Sequence, residues 1–166
     1  KKYLPEDYKD AIKVLLSSLP EELDPTKEDD DFGDFIYAPY GDFVATYGKD
    51  AKNLKISLQA LHEITRRFSC EDAIRSFINN HQEETLKTLE KWTKDKNYHV
   101  RRLVSEGTRP KLPWSRKIGM SIEKAIPLLD ELFYDTTRYV TRSVANHMND
   151  IAKLDPKLVL TTLKRW

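Results

Sequence analysis

The sequence predicts an all-α protein, and its periodicity, composition and length support this fold class. Apolar residues recur with a period near 3.6 along most of the chain, whereas the alternation typical of strands is scarce. Hydrophobic residues make up 39% and charged residues 33% of the chain, with only 5 Gly and 8 Pro, which excludes disordered and collagen-like proteins. At 166 residues, we expect one domain, residues 1–166, with a single core.

Individual helices follow from the apolar spacing and from the residues that interrupt it. The first helix is predicted over residues 5–19, because a proline follows directly. A long helix is expected over residues 52–68, and two further helices near 71–79 and 81–94. Ser69 stands two residues before the third of these helices, so we expect its hydroxyl to cap that helix.

Residues 20–40 form an acidic insertion that we expect to be rich in loops. Between positions 21 and 34, eight acidic residues stand against one lysine, Lys27, and aromatic residues follow. Such a charge run is typical of a solvated segment. Residues 91–117 carry the opposite charge, with nine basic residues against two acidic ones, and a local basic field of this kind attracts phosphates.

The second half of the chain repeats itself with a shift of 40 residues. The residues that superpose are apolar or carry a turn Asp or a helix Arg: Leu86, Leu89, Asp95, Val100, Arg102 and Val104 match Ile126, Leu129, Asp135, Val140, Arg142 and Val144. Each unit reads as helix, turn, helix, and helical pairs of about this length are typical of HEAT repeats. We therefore expect a right-handed HEAT-like α-α superhelix, a solenoid of antiparallel helix pairs.

A third copy of the first helix occurs at the end of the chain, where Leu160, Leu163 and Trp166 match Leu86, Leu89 and Trp92. A unit that lacks its second helix exposes the apolar face of its first. The pattern, together with an initial Lys in place of Met, predicts a C-terminally truncated fragment of a longer solenoid.

Helical geometry divides the second helix of each unit into an apolar and a polar side. At about 100° per residue, Val140, Val144, His147, Met148 and Ile151 fall on the apolar side, and Arg142, Asn146, Asn149, Asp150 and Lys153 fall on the other. The preceding unit places Arg102 and Glu106 on its polar side. Second helices usually line the concave surface of such solenoids, so we expect a surface that carries arginines and isolated carboxylates.

The segment between the two units is unusually stiff for a solenoid loop. Gly107 is expected to end its helix, and Pro110 and Pro113 restrict the chain before Trp114. One interpretation is that Trp114 stacks on a base while Arg109 contacts phosphate. The alternative is that Trp114 fills a gap between repeats and Arg109 pairs with Glu106.

Several other chemistries lack their sequence patterns. The four histidines, at positions 62, 81, 99 and 147, have no metal-ligand spacing, and the single Cys70 can form neither an internal disulfide nor a CxxC site. No GxGxxG, P-loop or GxSxG motif occurs. No long apolar run indicates a membrane span or a secretory signal, so the cytoplasm is the expected compartment.

Two long runs, LEKWTKDKNYHVRRLVSEGTRPKLPW at 89–114 and YVTRSVANHMNDIAK at 139–153, resemble the DNA alkylation-repair glycosylases of the AlkC and AlkD superfamily, AlkC more closely. The stretches ALHEITRRF at 60–68 and EDAIR at 71–75 are similar as well. The resemblance covers about residues 55–166.

This resemblance implies a solenoid that cradles duplex DNA and hydrolyses the N-glycosidic bond of cationic alkylated purines such as 3-methyladenine. Asp150 would be the catalytic carboxylate and Glu106 its partner, with no metal and no organic cofactor, in a monomer with no membrane contact. Trp114, Asn146 and Asn149 would contact the base, the sugar or a water. Backbone phosphates would be held by basic residues of the two runs, which are Arg101, Arg102, Arg109, Lys111 and Arg142.

Two other functions remain open at this point. A non-catalytic DNA-binding solenoid would keep the arginines without base release, and a protein-interaction scaffold would use Trp114 and the acidic segment as partner contacts. The acidic residues Asp29, Asp30 and Asp31 would either repel DNA or cover its groove as a mobile loop. The carboxylates Glu106 and Asp150 favour the glycosylase, unless both simply form ion pairs with neighbouring arginines.

Overall fold

A computed structural model describes residues 3–27 and 31–166, and within these residues it confirms the all-α prediction. The helices are α1 Tyr8–Ser17, α2 Ala38–Tyr47, α3 Leu54–Thr65, α4 Glu71–Asn80, α5 Gln82–Trp92, α6 Tyr98–Thr108, α7 Ile126–Leu132, α8 Arg138–Ala152 and α9 Pro156–Arg165. Short 3₁₀ helices at Phe35–Tyr37, Ala51–Asn53 and Ile122–Ala125 precede α2, α3 and α7. The long helix predicted over 52–68 is thus a 3₁₀ turn followed by a shorter α-helix.

The helices are arranged as the pairs of a HEAT-like solenoid. The second helices α2, α4, α6 and α8 contact one another in that order and form one continuous layer. The first helices α3, α5 and α7 each pack on the second helix of their own pair, and α9 packs on α8. One core of buried apolar side chains extends from Ile12 in α1 to Val159 in α9. This layering places α4, α6 and α8 side by side, and these three helices carry the site described below.

The 40-residue repeat is reproduced in the turn between the two helices of each unit. The Oδ1 atom of Asp95 accepts a hydrogen bond from the backbone N–H of Asn97, and Oδ1 of Asp135 accepts one from Thr137, both at 2.8 Å. Each turn is also tied to the preceding helix pair, because Asp95 contacts His62 and Asp135 contacts Arg101. The predicted turn aspartates therefore set the entry into α6 and α8.

Two sequence expectations about helix ends are wrong. Cys70, not Ser69, is the N-cap residue of α4, and Ser69 uses its hydroxyl to accept a hydrogen bond from Arg102 Nη1 at 2.8 Å. Gly107 lies inside α6 rather than at its end. A Cβ atom at position 107 would lie 2.5 Å from Cγ2 of the buried Ile74, so this glycine allows α4 and α6 to approach closely.

The predicted acidic insertion, residues 20–40, follows α1, and its described part contains a 3₁₀ helix and the start of α2. Asp29 and Asp30 lie outside the described residues. An isolated bridge joins Gly33 to Phe68, and the backbone N–H of Ser69 donates to the carbonyl oxygen of Phe32. The aromatic part of the insertion is therefore attached to the turn between α3 and α4.

Candidate active site

A cleft of about 740 Å³ lies along the second-helix layer. Its charged lining residues come from α4, α6 and α8 and from the turn after α6, and its aromatic residues come mainly from three loops or turns. The lining includes the polar side chains of Glu71, Arg102, Glu106, Arg109, Arg142, Ser143 and Asn146, together with the aromatic rings of Phe32, Phe35, Phe68, Trp114 and Tyr139. The cleft thus combines ionised groups with flat apolar surfaces.

Glu106 is a buried carboxylate on the floor of this cleft, with 3% of its surface exposed. Its Oε1 atom accepts a hydrogen bond from Arg109 Nη1 and its Oε2 atom one from Ser143 Oγ, each at 2.6 Å, and Arg102 Nη2 lies 4.0 Å from Oε2. Burial alone raises the pKa of Glu106, but the two arginines and the serine outweigh it and hold the pKa below its ordinary value. Glu106 is therefore ionised at neutral pH.

Arg109 lies between the carboxylates of Asp150 and Glu106. One guanidinium serves both carboxylates, because Arg109 Nε donates to Asp150 Oδ2 at 2.8 Å and Arg109 Nη2 lies 2.7 Å from the same oxygen. Asp150 is only 7% exposed, although the helical wheel places it on the polar side of α8. Within the described chain, Glu106 lines the cleft and Asp150 does not. The structure thus brings the two predicted carboxylates together through Arg109.

Arg102 forms the other side of the same cluster. Its Nη1 atom donates to Glu71 Oε1 at 3.1 Å and to Ser69, and its guanidinium carbon lies 4.3 Å from the centroid of the Tyr139 ring. Three carboxylates, those of Glu71, Glu106 and Asp150, therefore surround the guanidiniums of Arg102 and Arg109. The charges of these two arginines are compensated within the protein.

The other residues that were predicted to contact phosphate lie outside this charged cluster. Arg101 donates to Asp135 and to the carbonyl oxygens of Asp95 and Lys96, so it holds the turns of two neighbouring units together. Arg142 lines the cleft, with its guanidinium carbon 5.5 Å from the centroid of the Tyr139 ring. Lys111 is exposed in the loop after α6.

The predicted contacts to a base or sugar lie at the surface. Trp114 lines the cleft with 70% of its surface exposed, so it does not fill a gap between repeats. Asn146 is exposed and lines the cleft, whereas Asn149 is exposed one turn further along α8 and is not part of the lining. The pairing of Arg109 with Glu106, one of the two sequence interpretations, is present.

Helix α4 holds the loop that carries Trp114, a role that the sequence analysis missed. The guanidinium of Arg75, 1% exposed, donates to the carbonyl oxygens of Arg109 at 2.6 Å and Arg116 at 2.9 Å. One turn earlier, Asp72 accepts hydrogen bonds from Ser115 and Arg116, and these bonds outweigh its burial and lower its pKa to about 2. An arginine within the apolar stripe of α4 was the available signal.

Ser143 and His147 of α8 make polar contacts with α6. Besides its bond to Glu106, Ser143 Oγ lies 3.0 Å from Ser105 Oγ, and His147 Nδ1 lies 3.0 Å from the Ser105 carbonyl oxygen. Burial lowers the pKa of His147 to about 3, so its imidazole is neutral and Nδ1 is the donor to that carbonyl. Polar residues at helical spacing on the apolar stripe of α8 mark both positions.

Among the described residues, no group of three or more His, Cys, Asp or Glu side chains could hold a metal ion. Nor does that part of the chain contain a helix long and apolar enough to cross a membrane.

Comparisons with known proteins connect this site to a family. The protein is 34% identical over 166 residues to the uncharacterized protein YhaZ of Bacillus subtilis (strain 168), a match that covers 98% of this chain and 43% of the relative. A solved structure, that of the Pseudomonas fluorescens alkylpurine DNA glycosylase AlkC bound to DNA containing an abasic site analog, matches with a TM-score of 0.82 and 36% identity. This match covers 98% of this chain and 43% of that one.

The chain thus spans less than half the length of these two relatives. The sequence model of the family described as DNA alkylation repair enzyme matches residues 43–165, which include every charged residue of the cluster around Glu106. Both the sequence resemblance and the HEAT-like fold are confirmed by these matches. The chain belongs to the DNA alkylation repair enzyme family.

Proposed function

We propose that this protein releases cationic N-alkylated purines, such as 3-methyladenine, from duplex DNA and leaves an abasic site. The observation that carries the proposal is the ionised, buried carboxylate of Glu106 on the floor of a cleft with aromatic sides. Family membership and the likeness to an alkylpurine DNA glycosylase support the same reaction.

The chemistry requires little acid catalysis. Alkylation at nitrogen gives the base a positive charge, so the bond between that base and sugar C1′ breaks with its electron pair leaving on the base, which becomes neutral. The sugar then carries the positive charge of an oxocarbenium ion, and water adds to C1′ and loses a proton. A carboxylate near C1′ stabilises this charge and orients the water.

The geometry favours Glu106 for this contact. Glu106 lines the cleft directly, whereas Asp150 reaches it through Arg109. The sequence resemblance assigns these roles in the opposite order. We therefore assign stabilisation of the sugar to Glu106 and positioning of the Arg109–Glu106 pair to Asp150, with both carboxylates needed for the full rate.

The charges of the cluster are paired within the protein, and Lys153 Nζ also lies 3.8 Å from Asp150 Oδ1. Three carboxylates around the guanidiniums of Arg102 and Arg109 leave no uncompensated positive charge there to attract phosphate. Arg142, which lines the cleft, and the exposed Lys111 would contact the DNA backbone. Trp114 and Asn146 line the cleft and would contact the base or the sugar, and the exposed Asn149 would bind water or backbone beside it.

A comparison of substrates tests the proposal. The protein is incubated with duplexes that contain 3-methyladenine, 7-methylguanine or the neutral O6-methylguanine, and the released base and the abasic site are both quantified. We expect base release only from the cationic lesions, with equal amounts of base and abasic site and no strand cleavage. Binding to all three duplexes without release of any base would overturn the proposal in favour of a non-catalytic DNA-binding solenoid.

A further inference from the structure

Three phenylalanine rings line the cleft and take no part in the proposed reaction at the sugar. Phe32 and Phe35 come from the segment before α2 and Phe68 from the turn between α3 and α4, and we call them the aromatic wall. The ring centroids of Phe32 and Phe35 lie 5.7 Å apart, and those of Phe35 and Phe68 lie 5.6 Å apart. Phe35 nevertheless keeps 73% of its surface exposed.

The backbone around the aromatic wall is fixed to the second-helix layer. Gly33 adopts a φ of 87°, and a Cβ atom there would lie 2.0 Å from the carbonyl oxygen of Arg67, so the close approach requires glycine. The carbonyl oxygen of Phe32 accepts from the N–H of Ser69, whose side chain accepts from Arg102. The aromatic wall is thus connected through Ser69 to Arg102, which also lies beside Glu106. These hydrogen bonds set the position of the wall relative to the charged cluster.

A ligand that covers an exposed ring beside a cleft removes apolar surface from water, which favours binding. The neighbouring Ile36 is equally exposed, at 74%, but it is not part of the cleft lining in the described chain. Phe35 and Glu106 thus line the same cleft. A flat ring that carries positive charge satisfies both surfaces, because an aromatic face attracts cations as well as other rings.

We propose that the aromatic wall stacks against the alkylated base, with Phe35 making the contact. This inference rests on the proposed function and adds a residue that selects the base, whereas Glu106 acts on the sugar. Base–aromatic stacking of this kind typically changes affinity by about tenfold. Loss of Phe35 should therefore weaken binding of DNA that contains the alkylated base and spare DNA from which the base is missing.

Two duplexes separate base contacts from backbone contacts. The first contains one N-methylated purine on a 2′-fluoro sugar, which resists hydrolysis, and the second contains an abasic analogue at the same position. Dissociation constants are measured by fluorescence anisotropy for the wild type, Phe35→Ala, Phe35→Leu and Phe35→Trp. Ile36→Ala is the matched control, because it removes an equally exposed apolar side chain from the same 3₁₀ helix.

We expect Phe35→Ala and Phe35→Leu to lose about tenfold in affinity for the methylpurine duplex and less than about twofold for the abasic duplex. Phe35→Trp retains the affinity, and Ile36→Ala changes neither duplex. Equal losses on both duplexes, or retention by Phe35→Leu, would overturn the inference, since the wall would then contact the sugar or backbone or act only as apolar surface. Unchanged binding in Phe35→Ala would overturn it as well.

Measurements of base release distinguish failure of the proposed function from failure of the stacking assignment. If the wild type binds the methylpurine duplex in a Phe35-dependent manner but releases no base from the natural lesion, the glycosylase proposal fails and the stacking assignment stands. If base is released at the wild-type rate by Phe35→Ala under subsaturating conditions, the glycosylase stands and the stacking assignment fails. Circular dichroism and thermal midpoints of each variant verify that the fold is kept.

Discussion

Arg109 donates to Glu106 across 2.6 Å, from the C-cap position of α6 to a carboxylate three residues earlier in the same helix. The same guanidinium donates from Nε to Asp150 of α8 and forms an ion pair with it, so one side chain connects two neighbouring repeat units beside the cleft. Both carboxylates are buried, and buried anions are tolerated only when they are paired. Arg109 is therefore essential both for the arrangement of the site and for the contact between α6 and α8.

Replacement of Arg109 by Ala should strongly destabilise the protein. The change leaves two buried carboxylates with fewer cations, which typically costs about 3–5 kcal/mol. Urea denaturation measures the loss, with Arg116→Ala as control, because Arg116 is exposed and its pair with Asp72 is partly solvated, so its loss is about 1 kcal/mol or less. Addition of Glu106→Gln to Arg109→Ala should recover part of the stability, and a further loss in the double variant would contradict the pairing.

Replacement of Ser143 by Ala should move the acidic limit of base release to higher pH. Ser143 stabilises the ionised form of Glu106 by a 2.6 Å hydrogen bond, so its removal raises the pKa of Glu106. Because the pKa of Glu106 lies below its ordinary value, the wild type should remain active at lower pH than it would with a glutamate of ordinary pKa. Single-turnover rates between pH 3 and 7 on one duplex measure the shift, with the exposed Ser17→Ala as control. A limit that stays in place or moves to lower pH would refute this role.

The buried His147 should make folding stability depend on pH below neutrality. Burial holds the pKa of His147 near 3 in the folded chain, against 6.5 for the exposed group, so between these values the unfolded chain binds one proton more. The unfolding free energy is therefore constant above pH 6.5 on this account and falls as pH drops from 6.5 toward 3. His147→Asn, which keeps an N–H donor, should reduce the slope by about one proton in urea titrations. An unchanged slope would show that His147 does not cause it.

Replacement of Gly107 by Ala should destabilise the protein although alanine favours helix. The propensity gain is about 1 kcal/mol, but the new Cβ lies 2.5 Å from the buried, β-branched Ile74, and overpacking of this kind costs about 1–3 kcal/mol. We expect a net loss of about 1 kcal/mol in denaturant titrations. Gly119→Ala, where the nearest atom is 3.4 Å away, should be close to neutral. Equal effects of the two substitutions would contradict the close α4–α6 contact.

The repeat and the helix pairs were predictable because they depend on local spacing. The 40-residue shift correctly places Asp95 and Asp135 in equivalent turns, and the apolar stripe correctly buries His147 in α8. The polar side of the helix was less informative, since a helical wheel does not show whether a neighbouring helix covers it. Glu106 and Asp150 can be buried because Arg109 pairs with both of them across two repeat units. The sequence of either helix alone does not predict this contact.

Contacts between distant segments account for the rest of the site. Arg75 holds a loop 34 residues away, and the aromatic wall combines two segments that lie on either side of α2 and α3. Ser69 and Gly107 satisfy local rules for a cap and a helix end, yet tertiary partners, Arg102 and Ile74, determine what they do. Local propensity identified these residues as special and assigned them the wrong role.

The most direct test of the glycosylase account is the single-turnover rate of 3-methyladenine release by Glu106→Gln, measured at saturating protein beside the wild type. The amide keeps the size of the side chain and removes the charge that stabilises the sugar cation, so we predict a loss of at least about 100-fold with little change in DNA affinity. Asp150→Asn should lose less, because Asp150 acts through Arg109. Release by Glu106→Gln within about twofold of the wild-type rate would contradict the account.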